Sequence, residues 1–82
     1  MVEKRKVSEE ILELFMESDA ADDLATEYLN KFFGTRKAIK FKTLANKKRR
    51  QAWKLVRELY PDYRDKALRI EYADKVVYEI TE

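Results

Sequence analysis

Arg36-Lys37-Ala38-Ile39-Lys40-Phe41-Lys42 is the stretch on which the fold turns. Ile39 and Phe41 fall on one side of an extended chain. Arg36, Lys40 and Lys42 fall on the other, with Ala38 among them. This period of two predicts a short strand over residues 36–42 with a basic outer face.

Downstream, Thr43 can cap a helix over residues 43–60. Pro61 stops it, because the residue before a proline disfavours helical angles. The tail alternates again, with Leu68, Ile70 and Tyr72 set against Arg69 and Glu71. Val76, Tyr78 and Ile80 are then set against Val77 and Glu79. Ala73-Asp74-Lys75 is the expected turn of a C-terminal hairpin, although it lacks the Asn-Gly or Asp-Gly pair that favours tight turns.

Upstream, Gly34 is the only glycine. It lies just past Phe33, where a left-handed helix cap is wanted. Ser8 reads as an N-cap, with Glu9 and Glu10 suited to the positive end of a helix dipole and Val7 and Leu12 at staple positions. Ile11, Leu12, Leu14 and Phe15 make an apolar face, and a first helix runs to Glu17. The apolar phase slips between Met16 and Ala20, so Ser18-Asp19 reads as a second start. Ala21, Leu24, Ala25, Tyr28, Leu29 and Phe32 follow it at helical spacing. One bent helix over residues 8–33 is the alternative. The expected fold class is α+β, with two N-terminal helices, a short strand, a long basic helix and a C-terminal β-hairpin (ααβαββ). Residues 1–82 form one domain, with residues 1–7 a loose N-terminal arm.

The 82 residues carry a net charge of only +2, yet the charge is segregated. Residues 1–34 hold four Lys/Arg and nine Asp/Glu; residues 35–57 hold ten Lys/Arg and no acid; residues 58–82 hold four and seven. An unbroken cationic block repels itself, and its field suits a negative partner.

On a helical wheel for residues 43–60, Ala45, Ala52, Leu55, Val56 and Leu59 gather on one side, with Leu44, Trp53 and Tyr60 at its margins. Lys47, Arg50, Lys54 and Arg57 fall on the far side, in a stripe about 15 Å long at 1.5 Å per residue. A solvated helix face normally mixes signs, since opposite charges at i,i+4 stabilise a helix and like charges destabilise it. This face has only Glu58 nearby, to one side. A rigid line of cations can neutralise several phosphates and release their counterions, and arginine can also bind phosphate or guanine through two parallel hydrogen bonds. The expected nucleic-acid contacts are therefore Lys47, Arg50, Lys54 and Arg57, supported by Lys48, Arg49, Lys40 and Lys42.

The expected function is that of a small non-catalytic nucleic-acid-binding protein, as a regulator or accessory factor uses, with DNA favoured over RNA. The alternative is a protein-interaction module, an inhibitor or adaptor, docking by its basic stripe or by the acidic helix of Glu9, Glu10, Glu13 and Glu17. That helix could also mediate self-association. A long basic helix before a hairpin has the general layout of the second half of a winged module, but no glycine marks a turn between two helices. An RNA-reading sheet needs aromatics on a basic strand face; Phe41, Tyr72 and Tyr78 fall on the apolar sides of their strands and read as core. Trp53, at the edge of the wheel, can stack on a base, but reads first as a core anchor whose N–H reaches a partner.

The chain has no Cys and no His. Thiolate and imidazole ligands are absent, as are the commonest general base and activated nucleophile. There is no glycine-rich phosphate loop, nucleophile elbow or zinc spacing. No cofactor, metal or catalytic residue is expected. No apolar run approaches the ~20 residues that span a bilayer, and the N-terminus shows no apolar signal core, so the expected location is the cytoplasm, away from membranes.

Overall fold

The computed structural model describes residues 3–31 and 34–80. In chain order it has strand β1 (Lys4–Lys6), helix α1 (Glu9–Leu29), helix α2 (Thr35–Leu59), a 3-10 turn (Pro61–Tyr63), and strands β2 (Leu68–Glu71) and β3 (Val76–Glu79). The strands form one antiparallel sheet in the order β1-β3-β2. The molecule is elongated, 47 × 23 × 22 Å, because two long antiparallel helices extend away from the sheet.

This order overturns the ααβαββ expectation. The chain begins with a strand, then places two helices, then two strands. Lys4–Lys6, expected in a loose arm, pair with β3 through Lys4↔Tyr78, Arg5↔Val77 and Lys6↔Val76. Residues 36–42 are the first turns of α2, not a strand. Ala38, Ala45 and Ala52, seven residues apart, form with Val56 the buried face of one continuous helix. Ile39, assigned to the core side of a strand, is 61% exposed. Phe41 is half-buried and stacks on Tyr28, ring centroids 5.5 Å apart. The physical reason is cooperativity. Once a downstream helix exists, extending it backwards adds a hydrogen bond for each residue fixed, through Lys, Arg and Ala that favour helix.

The first two expected helices are one, α1, starting as read from the Ser8 cap. The Ser8 hydroxyl oxygen accepts from the Ile11 N–H at 3.3 Å. There is no second start at Ser18. Ser18 is fully buried, and its hydroxyl donates to the Ala45 carbonyl of α2 at 2.9 Å. A small polar residue occupies a core position, which made the apolar phase look broken. Gly34 is not a left-handed cap. Its φ of −91° is ordinary, and it precedes α2. Glycine is required there by contact, since a Cβ would overlap the Tyr28 carbonyl. Phe32 and Phe33, expected to end a helix, lie outside the described residues.

The expected C-terminal hairpin is present; β2 keeps its expected phase, with Leu68 and Ile70 packed on the core, while β3 is shifted by one residue. Val77 is fully buried and shares a face with Ile70 and Arg5 toward the helices. Val76 and Tyr78 lie on the other face, beside Lys6 and Glu71 and beside Lys4 and Arg69, and Val76 is buried there as well. Tyr72 lies in the turn, partly exposed. Lys75 closes that turn at φ 55°, where the sequence offers no glycine. The main core sits at the sheet end and gathers Val7, Ile11, Phe15, Ala52, Val56, Tyr63 and Val77. Farther out, the helices meet through small residues, Ser18, Ala21, Ala25, Ala38 and Ala45.

Candidate nucleic-acid interface

With α2 starting at Thr35, the basic stripe is longer than four residues. Arg36, Lys40, Thr43, Lys47, Arg50, Lys54 and Arg57 recur at spacings of four and three along the whole helix. Such a line drifts only about 20° per seven residues relative to the helix surface. From Arg36 to Arg57 it runs about 30 Å at 1.5 Å per residue. Arg36, Lys40, Lys47, Arg50 and Lys54 are exposed, and Arg57 is half-buried. The buried alanines face α1 on the other side of the helix.

Nine of the ten cations of α2 divide into two sets; the tenth, Lys37, lies over the Tyr28 ring, 5.3 Å from its centroid. Those toward α1 are neutralised: Lys48 pairs with Glu17 at 2.8 Å and Lys42 with Asp22 at 2.9 Å. Arg49 reaches Asp22 at 2.5 Å and Asp19 at 3.7 Å. The hydrogen bonds from Arg49 and then Lys42 hold the Asp22 carboxyl below its ordinary value, against the opposing effect of burial. The same Asp22 contact raises the Arg49 guanidinium. The Tyr72 hydroxyl donates to Asp19 Oδ2 at 2.5 Å, and burial followed by that bond pushes its titration upward. Lys42, Lys48 and Arg49 thus fasten the two helices together.

The outward set is different. Among the described residues, none of Arg36, Lys40, Lys47, Arg50, Lys54 and Arg57 lies within ion-pairing distance of a carboxylate. Four acids at the sheet end are occupied elsewhere. Asp62 and Glu3 pair with Arg5 at 2.7 and 3.2 Å, Glu71 with Lys4 at 3.1 Å, and Glu79 with Lys66 at 3.5 Å. Arg5 also lies over the Tyr63 and Tyr60 rings, at 4.4 and 5.1 Å from their centroids.

Beside the stripe at its C-terminal end lies a hollow lined by Arg50, Trp53, Lys54, Arg57, Glu58, Pro61 and Arg64. Trp53 forms part of its wall. Its indole packs edge-on against Phe15, centroids 4.6 Å apart and planes at 71°. The Arg57 guanidinium lies 5.8 Å from the Trp53 centroid.

Of the sequence-derived candidates, Lys47, Arg50, Lys54, Arg57 and Lys40 share the open line, while Lys48, Arg49 and Lys42 face α1. Sequence reading missed Arg36 and Arg64. Arg36 was legible in principle, since it continues the spacing of the stripe once residues 36–42 are read as helix. Arg64 follows the proline turn, and no periodicity marks it. Among the described residues, no group of three or more His, Cys, Asp or Glu could hold a metal ion, and no helix is long and apolar enough to cross a membrane. No family model matches the chain, nor does any curated protein or solved structure.

Proposed function

We propose that this chain binds nucleic acid along the outer face of α2. The observation that carries this reading is the division of the helix's cations. Glu17, Asp19 and Asp22 pair with Lys48, Arg49 and Lys42, and leave the outward line unanswered. A helix evolved only for solubility gains from acids on its exposed face, through i,i+4 pairs. Here Arg50 and Lys54 repel one another at that spacing, a local cost expected where function overrides stability. Six cations along a rigid rod, about 5 Å apart except for a gap of about 10 Å at Thr43, can meet successive phosphates, and counterion release supplies the affinity.

The test compares two charge reversals. Arg50→Glu with Lys54→Glu is expected to abolish binding of a labelled oligonucleotide in a fluorescence-anisotropy titration, with an unchanged circular dichroism spectrum. Lys48→Glu with Arg49→Glu is expected to act mainly through stability, by removing the pairs to α1. Intact binding by the Arg50/Lys54 double variant would refute the proposal. Running the titration with duplex DNA, single-stranded DNA and RNA identifies the preferred form.

A further inference from the structure

We infer that the hollow beside Trp53 is a subsite for an unpaired nucleobase. The inference rests on the phosphate-binding reading of α2 and adds to it a second kind of contact. The hollow measures about 730 Å³, within the range of small-ligand sites, roughly 300–1,000 Å³. Its composition suits a base better than a phosphate. Trp53 and Pro61 contribute flat apolar surface, while Arg50, Lys54, Arg57 and Arg64 ring it with positive charge. Glu58 lies in the same wall, and no cation among the described residues pairs with it. A carboxylate there repels a phosphate placed in the hollow, but can accept a hydrogen bond from a base amino group.

The geometry also preorganises stacking. Phe15 packs edge-on against the Trp53 ring from the core side, and the half-buried indole keeps part of its surface toward the hollow. Arg57 already lies over that ring. A planar base can lie on the indole with a guanidinium beside it, while its 5′ and 3′ phosphates reach the line of cations on α2. A paired base inside a duplex is stacked between its neighbours and cannot enter. The occupant is therefore a single strand, a loop or a displaced base.

Trp53 is the only tryptophan, so its emission reports the subsite directly. The experiment titrates the full chain with a single-stranded oligonucleotide, with its duplex, and with inorganic polyphosphate, which offers phosphates without bases. Binding is followed by both anisotropy and tryptophan emission. The single strand is expected to quench Trp53 in step with binding, and polyphosphate to bind without comparable quenching. Trp53→Phe keeps a ring against Phe15. It is expected to weaken single-strand binding by roughly three-fold, since the smaller ring keeps only part of the stacking area, and to leave polyphosphate affinity unchanged. Single-strand binding with unaltered emission, or with equal affinity in Trp53→Phe, would overturn the subsite and leave the phosphate reading standing. Failure of every oligonucleotide to bind would overturn both.

Discussion

The Ser18 hydroxyl donates to the Ala45 carbonyl at 2.9 Å, at a point where both residues are fully buried between α1 and α2. This bond sets how the outer face of α2 is held. The helices touch through Ser18, Ala21, Ala25, Ala38 and Ala45, so α2 turns its small side chains inward and its long cations outward. Ser18→Ala removes one neutral hydrogen bond and leaves the Ala45 carbonyl its helical partner. The expected cost is about 1 kcal/mol. Ser18→Leu must force the helices apart, and its cost is expected to be larger, about 3 kcal/mol. Urea denaturation of the two variants checks the order; equal costs would mean that the seam is not tightly packed.

Asp22 gives the link between the helices a pH dependence. Its carboxyl is held below its ordinary value by Arg49 and Lys42. The unfolded carboxyl therefore binds a proton more readily than the folded one. The stabilisation is fully present above the ordinary carboxylate pKa and is lost as pH falls through the lowered folded value. Asp22→Asn is expected to be less stable than the parent at pH 7, and the two are expected to converge as pH drops from about 5 toward about 2. Urea midpoints across that range decide it. A difference that persists undiminished at the acid end would assign the Asp22 contribution to something other than charge.

Lys75 holds a left-handed backbone, φ 55°, in the turn between β2 and β3. Glycine adopts that region without a Cβ clash. Lys75→Gly is expected to raise stability by about 0.5–1 kcal/mol, despite the loss of the exposed contact from Lys75 to Glu9. Thermal denaturation would show this as a higher midpoint; a lower one would mean that the Glu9 contact outweighs the strain.

The sequence carried the ends of this fold more clearly than its middle. Pro61 marked where α2 stops, Ser8 marked where α1 begins, and alternation marked the C-terminal hairpin. Residues 36–42 did not discriminate, because Ala38, Phe41 and Ala45 satisfy a helical period while Ile39 and Phe41 satisfy a period of two. A seven-residue window cannot separate these, and the length of the helix that follows decides. Ser18 misled for a different reason. Its hydroxyl bonds across to α2, a tertiary contact invisible in local pattern. In β3 the period of two put Val76 on the inward side, whereas both valines are buried and it is Val77 that packs with Ile11, Phe15 and Val56. The same misreading at residues 36–42 cut the basic stripe to its second half. Lys47, Arg50, Lys54 and Arg57 were legible from spacing alone, whereas Arg36 joins their line only when α2 is one helix. Which cations Asp22, Asp19 and Glu17 would neutralise depended on helix pairing and was not readable from the chain.

The continuous line on α2 is tested most directly by the salt dependence of single-strand binding, measured for the parent and for Arg36→Gln with Lys40→Gln. Six phosphate contacts give an expected slope of log K against log salt of about −4 for a single strand, and removing two contacts reduces it to about −3. Those two residues lie at the far end of α2 from Trp53, so a shallower slope means that the strand follows the whole helix. A slope unchanged by the double substitution, or an affinity indifferent to salt, would contradict the account.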